Sequence, residues 1–309
     1  MSENVKNVSE TSAAPMQTMQ ERDMKQVSKK QRIVKICVQI ALYLFLGVMA
    51  LIVIFPFYWM LISSVKTMPE YILQQPTIIP HEWDFRNYVE VFQNEDLLLG
   101  QLFANTLFVG VVSTFLSLII TVLSAFAFAR LEFKGKNLLF AALLATMMIP
   151  GELFTITNYQ TVNNFGWLNT FTVLIVPFLV SVFYIYLLKQ NFQQVPNELY
   201  LAAKVDGTTD LKYLWKVMIP LALPTLISIT ILKMMGSWNS YMWPRLVAND
   251  DAHRLITNGL RTAFTSAEGV TDVPLQMAAI AIVSAPLFLV FVFLRKYIMK
   301  GVSRSGIKG

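Results

Sequence analysis

Long stretches without a charged residue dominate this chain of 309 residues. About 20 apolar residues in a helix are enough to cross a hydrocarbon core of roughly 30 Å. A chain with 55% hydrophobic and only 14% charged residues is too apolar for a soluble globular domain or an intrinsically disordered protein. We therefore predict an all-α membrane protein. Its uncharged or nearly uncharged stretches are residues 36–62, 97–129, 137–188, 217–238 and 273–294.

The stretch of residues 137–188 is too long for a single crossing. It is interrupted at residues 150–152, and its polar middle, residues 158–169 with Gly166, predicts the turn between two spans. Six membrane-spanning helices are thus predicted within residues 36–298. The fifth of them carries one charge, Lys233.

Lysine and arginine fall mainly on one side of this pattern. Nineteen of the 25 lie before the first span, between spans two and three, between spans four and five, or after the last span. Because cytoplasmic loops retain positive charge, both termini are predicted to be cytoplasmic. The net charge of +6 then reflects topology and not nucleic-acid binding. Residues 1–35 are predicted to be a disordered cytoplasmic tail, and residues 299–309 a second cytoplasmic tail.

Residues suited to catalysis or metal binding are sparse. His81 and His253 are far apart and lack ligand spacing, and the single Cys37 can form neither an intramolecular disulfide nor a CxxC zinc site. No GxxxxGK[ST] motif is present to hold the phosphates of ATP. We predict that the chain is not an enzyme and has no cofactor or metal, so that any ATP is bound by another chain.

The segment between spans four and five, residues 190–216, is unusually long for a membrane loop. Pro196 and Asn197 predict a helix start with Glu198 in the first turn, and Gly207 can adopt the left-handed conformation that ends a helix. The alternative interpretation is an amphipathic segment on the inner leaflet. Four residues are spaced to share one face, where the alanines would let a partner come close: Leu199, Ala202, Ala203 and Asp206.

This segment resembles the EAA loop of permease subunits of bacterial ABC importers. The matching order is Ala202 and Ala203, three further residues, Gly207, and then residues 219–224. Leu201 departs from the family, which usually has a glutamate there that makes a salt bridge to the ATPase. Either Leu201 makes an apolar contact instead, or Glu198, one turn earlier, replaces that glutamate.

Other motifs extend the resemblance from about residue 40 to the end of the chain. Because these motifs occur together and in this order, the chain resembles the maltose-type second permease subunit of the carbohydrate branch. That subunit has six helices. The motifs are PFYWM at residues 56–60, AFAFARLEFKG at 125–135, MIPGE at 148–152, GSWNSYMWP at 236–244 and the Lys-Gly ending at 300–309.

The resemblance implies a type I ABC importer permease fold in the bacterial cell membrane. It also implies a second homologous permease, two cytoplasmic ATP-binding subunits and an extracytoplasmic solute-binding protein. In the family, the loop helix sits in a cleft of the ATPase and converts its closure into rotation of the spans. The resemblance assigns this coupling role to Glu198, Leu199, Ala202, Ala203, Asp206 and Gly207.

The C-terminal tail is the second expected ATPase contact, through Lys308 and Gly309. The alternative for the tail is a positively charged terminus on an anionic leaflet. The expected cargo is a di- or oligosaccharide, with glycerol phosphate or another polar solute as the alternative. Two other classes of function are alternatives. A secondary transporter would need ion-coordinating residues in several spans, where the sequence offers only Glu152 and Lys233, and a membrane-embedded enzyme would need a catalytic cluster at membrane depth, which the sequence does not reveal.

Four residues in or near the spans are candidates for the substrate pathway. An ionisable group at membrane depth is by default a pathway or pairing residue, but Glu152 can also lie in water at the outer interface. Lys233 can face a cavity, form a pair or extend its side chain to the membrane surface. Trp238 and Asn239 combine an aromatic face with an amide, which suits sugars, although tryptophan at an interface is ordinarily a membrane anchor.

Overall fold

The computed structural model describes residues 14–94, 97–264 and 272–303, and within these ranges the regular secondary structure is entirely helical. The chain divides into two compact units, Met1–Met60 and Leu61–Gly309. By length and composition, four helices of the described residues can cross a membrane, and the number becomes six if each of two bent helix pairs is one span.

The first unit contains most of helix α1 (Ala14–Ser63), whose segment Val34–Ser63 is a candidate span with a mean hydropathy of 2.6. The helix begins at Ala14 and therefore includes residues 14–35, for which the sequence analysis predicted disorder. Residues 16–35 contain no glycine or proline and are rich in Met, Gln, Lys and Arg, which are strong helix formers. Their composition therefore favours continuation of the transmembrane helix beyond the apolar segment.

The second unit contains three further candidate spans: α4 (Leu99–Arg130), the run Asp210–Trp238, and Val273–Arg295 of helix α14 (Val273–Ser303). Helix α14 continues into the predicted C-terminal tail as far as Ser303. The run Asp210–Trp238 begins seven residues earlier than the predicted fifth span, because helical backbone continues through residues 210–218. It consists of α10 (Asp210–Tyr213), a π-helical turn (Leu214–Met218) and α11 (Ile219–Trp238).

Two bent pairs of helices account for the stretch between α4 and α10. Helix α5 (Lys136–Thr146) meets the run Gly151–Asn164, which ends with α6 (Thr155–Asn164), at an angle of 82°. Helix α7 (Phe171–Ile175), extended by a 3₁₀ turn to Phe178, meets α8 (Val182–Gln193) at 43°. Each pair has the form of a broken span or a re-entrant loop.

The reversal between these two pairs is shorter than the sequence predicts. Residues 158–164, expected as a turn, belong to α6, and the chain turns at residues 165–170. Gly166 and Asn169 take left-handed conformations there, with φ of 68° and 53°. The Asn and Thr residues of 158–164 are therefore helical. The turn itself is made by Gly166 and Asn169, since glycine and asparagine tolerate the left-handed region.

Five shorter helices lie in the connections. They are α2 (Met68–Tyr71), α3 (Arg86–Gln93), α9 (Asn197–Val205), α12 (Met242–Val247) and α13 (Ile256–Phe264).

Helix α4 takes part in all three hydrophobic clusters of the second unit. Near its start, Leu99 and Leu102 belong to a cluster with residues of α3, α13 and α14. In its middle, Val109 packs with residues of α6, α7 and the segment after α12. Near its end, Ala125 and Phe126 pack with residues of α8, the π turn and α11.

Small polar residues also lie on the buried face of α4. Such small side chains let neighbouring helices approach closely in a membrane. The Thr106 hydroxyl donates to the carbonyl of Leu102 at 2.8 Å, so its polar group is satisfied within the helix. The buried members are Thr106, Ser113, Thr114, Ser117 and Thr121.

The connection between α2 and α3 contains a buried carboxylate. Glu70 accepts hydrogen bonds from the Thr77 hydroxyl at 2.6 Å and from the backbone N–H of His81 at 3.0 Å. Burial raises the pKa of Glu70, but these hydrogen bonds and that of the Glu82 backbone outweigh burial, so the pKa lies below its ordinary value. The charged carboxylate thereby orders this connection.

The contact between α13 and α4 offers a test of the packing. A Cβ atom at Gly259 would lie 2.4 Å from Cδ2 of Leu102, a residue that is only 3% exposed. We expect Gly259→Ala to lower the free energy of unfolding by about 1–3 kcal/mol, as overpacking does. The measurement is the thermal unfolding midpoint of the purified protein in detergent.

Gly100→Ala is the matched control, because a Cβ at Gly100 meets nothing within 4 Å. Alanine has the higher helix propensity, so this variant should be as stable as the wild type or slightly more stable. Equal midpoints for the two variants would contradict the close packing of α13 on α4.

Candidate functional site

Helix α9, the helix of the long loop, has well-defined ends. Pro196 precedes its first residue with an extended backbone, and Glu198 lies in its first turn. At the other end Gly207 has a φ of 70°, its N–H donates to the carbonyl of Lys204 at 3.0 Å, and the N–H of Thr208 donates to that of Ala203 at 2.8 Å. This is the Schellman pattern, so Gly207 terminates the helix as the sequence predicts.

The two faces of α9 differ in their surroundings. Tyr200 and Ala203 are half-buried and pack against the cluster formed by the end of α4, α8 and α11. Leu199, Leu201 and Val205 are 47%, 56% and 88% exposed. The exposed surface of α9 therefore includes several aliphatic side chains, next to the charged Glu198 and Lys204.

The four residues that the sequence predicts to share one face of α9 do not have the same surroundings. Ala203 faces the core of its own chain, three residues after Tyr200, and is less accessible to a partner than expected. Ala202 and Asp206 are exposed, as are Glu198 and Gly207. The accessible alanine is thus Ala202. Sequence spacing placed the two alanines together but gave no sign that the Tyr200 ring would anchor one side of the helix.

Asp210 fixes α9 to the first turn of the helical run that leads into α11. Its Oδ1 atom accepts a hydrogen bond from the Tyr200 hydroxyl at 2.7 Å and lies 2.6 Å from the Lys204 ammonium. That ammonium also lies 5.3 Å from the centre of the Tyr200 ring. Burial and the hydrogen bond to Asp210 raise the pKa of Tyr200, which keeps its hydroxyl protonated as a donor.

Arg130, the last residue of α4, fixes the other side of the loop. Its guanidinium donates to the carbonyl of Phe192 at 2.8 Å, to the carbonyl of Val195, and to Oδ1 of Asn197 at 3.2 Å. The Phe192 carbonyl is in the last turn of α8, where carbonyls lack intrahelical partners. One side chain therefore joins the end of α4, the end of α8 and the start of α9. Arg130 belongs to the motif at residues 125–135, but the sequence gave no indication of these contacts.

A cavity of about 380 Å³ lies between the break of the α7–α8 pair and the second half of α11. Lys233 lines it, and the Lys233 ammonium donates to the carbonyl of Phe178 at 2.6 Å. That carbonyl lies at the end of the 3₁₀ turn, just before the chain enters α8. Lys233 thus bonds to a backbone group that the break in the helix leaves free.

The other pathway candidates are not at this cavity. Trp238 is 5% exposed and packs edge-to-face on Phe103, with ring centres 5.7 Å apart. Asn239 is exposed at the end of α11, and Glu152 is exposed in the 3₁₀ turn Gly151–Phe154. Lys308 and Gly309 lie outside the described residues.

The cavity is instead lined by aromatic and hydroxyl residues that the sequence analysis did not single out as site residues. Trp243 occurs in the motif at residues 236–244, whereas Phe178 and Tyr184 lie in an apolar stretch without a distinguishing pattern. Within the three described ranges, no group of three or more His, Cys, Asp or Glu side chains is placed to hold a metal ion.

The fold has a counterpart among solved structures. It is similar to a chain in the crystal structure of a bacterial ABC transporter involved in the import of the acidic polysaccharide alginate, with a TM-score of 0.76. The two share 24% sequence identity, and the match covers 84% of this chain and 95% of that one.

Curated relatives match over most of their length. The diacetylchitobiose uptake system permease protein NgcG of Streptomyces coelicolor is 30% identical over 258 residues, covering 83% of this chain and 84% of the relative. The trehalose/maltose transport system permease protein MalG of Thermococcus litoralis is 28% identical over 263 residues, covering 84% and 94%. The arabinooligosaccharides transport system permease protein AraQ of Bacillus subtilis is 28% identical, covering 88% and 96%.

A family model also matches residues 97–304, which is more than half of the chain and includes α4, the α9 loop and the Lys233 cavity. Its description is "Binding-protein-dependent transport system inner membrane component". The chain therefore belongs to the family of inner membrane components of binding-protein-dependent transport systems, which confirms the resemblance seen in its sequence.

Proposed function

We propose that this chain is one of two membrane-spanning permease subunits of an ATP-driven importer of di- or oligosaccharides. The cargo named for several relatives is a sugar of this size, which supports the substrate class. In this proposal the chain crosses the bacterial cell membrane six times, each bent pair is one span, and both termini are cytoplasmic. A second permease completes the pathway, two ATPase subunits supply the energy, and a solute-binding protein delivers the sugar.

The observation that carries the coupling role is the exposed aliphatic surface of α9. Leu201 and Val205 are more than half exposed on a helix whose opposite face is anchored by Tyr200 and Ala203. The helix is also connected through Asp210 to the run that contains α11, and through Arg130 to α4 and α8. An ATPase that binds the exposed face would therefore act on three helices at once. We propose this as the route by which ATPase closure reorients the spans.

The distribution of basic residues supports the proposed orientation. The Lys189 ammonium lies 4.1 Å from the centre of the Phe140 ring, so it joins α8 to α5 at the end of α8 that leads to α9. Lys136 donates to the carbonyl of Leu131 at 2.8 Å at the turn between α4 and α5. Arg130 and Lys204 contact the α9 loop itself, and all four basic residues lie in segments that the proposed orientation places at the cytoplasmic end of the spans.

Cysteine labelling tests the orientation. In a Cys37→Ser background, we expect Val205→Cys to react with a membrane-impermeant maleimide only in inverted vesicles. Ile79→Cys, which is 66% exposed in the connection before α3, should react in intact cells. Labelling of both positions from the same side would contradict the six-span arrangement.

A charge on the exposed face of α9 tests the ATPase contact. We expect Ala202→Arg to reduce ATPase copurification and solute-stimulated ATP hydrolysis by about tenfold or more, because an unpaired charge would be desolvated at the interface. Gln194→Arg is the control, since Gln194 is exposed on the same loop but precedes the helix. Normal stimulated hydrolysis in Ala202→Arg, with normal membrane insertion, would show that this face does not couple.

The two interpretations of Leu201 make opposite predictions. If Leu201 contacts an apolar pocket of the ATPase, Leu201→Glu should reduce ATPase recovery about tenfold and Glu198→Ala should have little effect. If Glu198 replaces the usual glutamate, the effects should be reversed. The 56% exposure of Leu201 and the aliphatic neighbours Leu199 and Val205 favour the first outcome. Wild-type recovery in both variants would exclude both interpretations.

A further inference from the structure

The cavity beside Lys233 contains a positive charge at membrane depth without a negative charge next to it. Among the described residues that line it, Lys233 is the only charged one. Elsewhere in the described part of the chain, no carboxylate comes within 4.0 Å of the Lys233 ammonium. No described carboxylate therefore neutralises its positive charge, although charges in membrane spans are normally paired or functional.

The hydrogen bond to Phe178 uses only part of the hydrogen-bonding capacity of the Lys233 ammonium. Lysine has three N–H donors, and the Phe178 carbonyl accepts one of them. A neutral carbonyl orients the side chain but leaves its charge uncompensated. Two donors thus remain for water or for a ligand in the cavity.

Aromatic rings and hydroxyls complete the lining of the cavity. Trp243 uses its indole N–H to donate to the carbonyl of Val173 at 3.0 Å, so it offers a ligand only its ring. The hydroxyls of Tyr184, Ser237 and Ser240 make no hydrogen bond to any described residue and are available to a ligand. Flat apolar rings beside free hydroxyls suit the alternating CH and OH surfaces of a sugar ring. The cavity volume of 380 Å³ falls within the range of ligand sites, roughly 300–1,000 Å³.

We propose that this cavity binds an acidic sugar residue, with the carboxylate on the Lys233 ammonium and the ring against Trp243 and Tyr184. The inference rests on the proposed function and narrows its substrate class to carbohydrates that carry carboxylates. A carboxylate is a single negative charge, which matches the single positive charge of the cavity. A phosphate group carries up to two negative charges, so the single positive charge of the cavity would leave part of its charge unpaired, and the lining contains no arginine to hold it with a fork.

A matched pair of ligands tests this assignment. Digalacturonate and galactobiose, both with the α-1,4 linkage, differ only in having a carboxylate or a hydroxymethyl group on each ring. Equilibrium dialysis of each labelled disaccharide against the purified permease pair with its ATPase subunits gives the two dissociation constants. We expect the wild type to bind digalacturonate at least about tenfold more tightly, as a charge-assisted hydrogen bond in a poorly hydrated site provides.

Three variants separate ligand binding from a structural role of Lys233. Lys233→Met should abolish the preference for digalacturonate and leave galactobiose binding unchanged, and Lys233→Arg should retain part of the preference. Lys189→Met removes a lysine of α8 that does not line the cavity and should behave as the wild type. A purely structural lysine would lower the affinity for both disaccharides equally, or reduce recovery of the permease pair, without changing their ratio.

Several outcomes would overturn the inference. Equal affinities in the wild type, no binding of digalacturonate, or an unchanged preference in Lys233→Met would each do so, as would tighter binding of glycerol 3-phosphate. The proposed function is judged separately, by ATPase copurification and ATP-dependent uptake. A complex that assembles and takes up neutral oligosaccharides but shows no preference would refute only the acidic class of substrate.

Discussion

Close packing around α4 is the constraint on which the second unit depends. In a bilayer, apolar side chains gain little by leaving lipid for protein, so helices associate through tight contacts between small residues and through interhelical hydrogen bonds. Helix α4 supplies both, with a buried series of serines and threonines and with Thr106, whose hydroxyl accepts a hydrogen bond at 2.9 Å from the backbone N–H of Ile256, the first residue of α13. The side-chain amide of Asn105 also donates to the carbonyls of Ala252 and Arg254, in the loop before α13, at 2.9 and 3.0 Å. Its neighbours are therefore positioned by one helix.

This central position also relates the two candidate functional regions. Val109 and Ser113 of α4 line the Lys233 cavity, and Arg130 at the end of the same helix holds the α9 loop. The 17 helical steps from Ser113 to Arg130 correspond to roughly 25 Å of helix. Helix α4 therefore connects the Lys233 cavity to the α9 loop, and the run Asp210–Trp238 connects them a second time through Asp210 and Lys233.

The sequence predicted those features that depend on local chemistry. Uncharged stretches predicted the apolar helices, Gly207 predicted the end of α9, and the loop motif predicted the family. The turn between the two bent pairs was predicted to begin too early, because polar residues 158–164 are helical and no glycine or proline interrupts them.

The tertiary contacts of the site were not accessible to sequence reasoning. Ala203 and Ala202 have the same side chain, and only the packing of Tyr200 distinguishes the anchored alanine from the exposed one. Similarly, the sequence identified Lys233 as an isolated charge. Its hydrogen-bond partner is a backbone carbonyl 55 residues away, and a pattern of side chains cannot reveal such a partner. Trp238 was chosen for its chemistry and proved to be a core residue, whereas Trp243, five residues later, faces the cavity.

The separation of anchoring and exposed residues on α9 has a consequence for how such importers diversify. The residues that hold the helix in place, Tyr200, Lys204 and Asp210, are bonded to one another, whereas Leu199, Leu201, Ala202 and Val205 contribute little to that network. Substitutions at these outer positions can therefore accumulate without loss of the loop's own structure. Under the coupling role proposed above, the specificity for an ATPase can then change at these surface positions while the fold of the loop is retained.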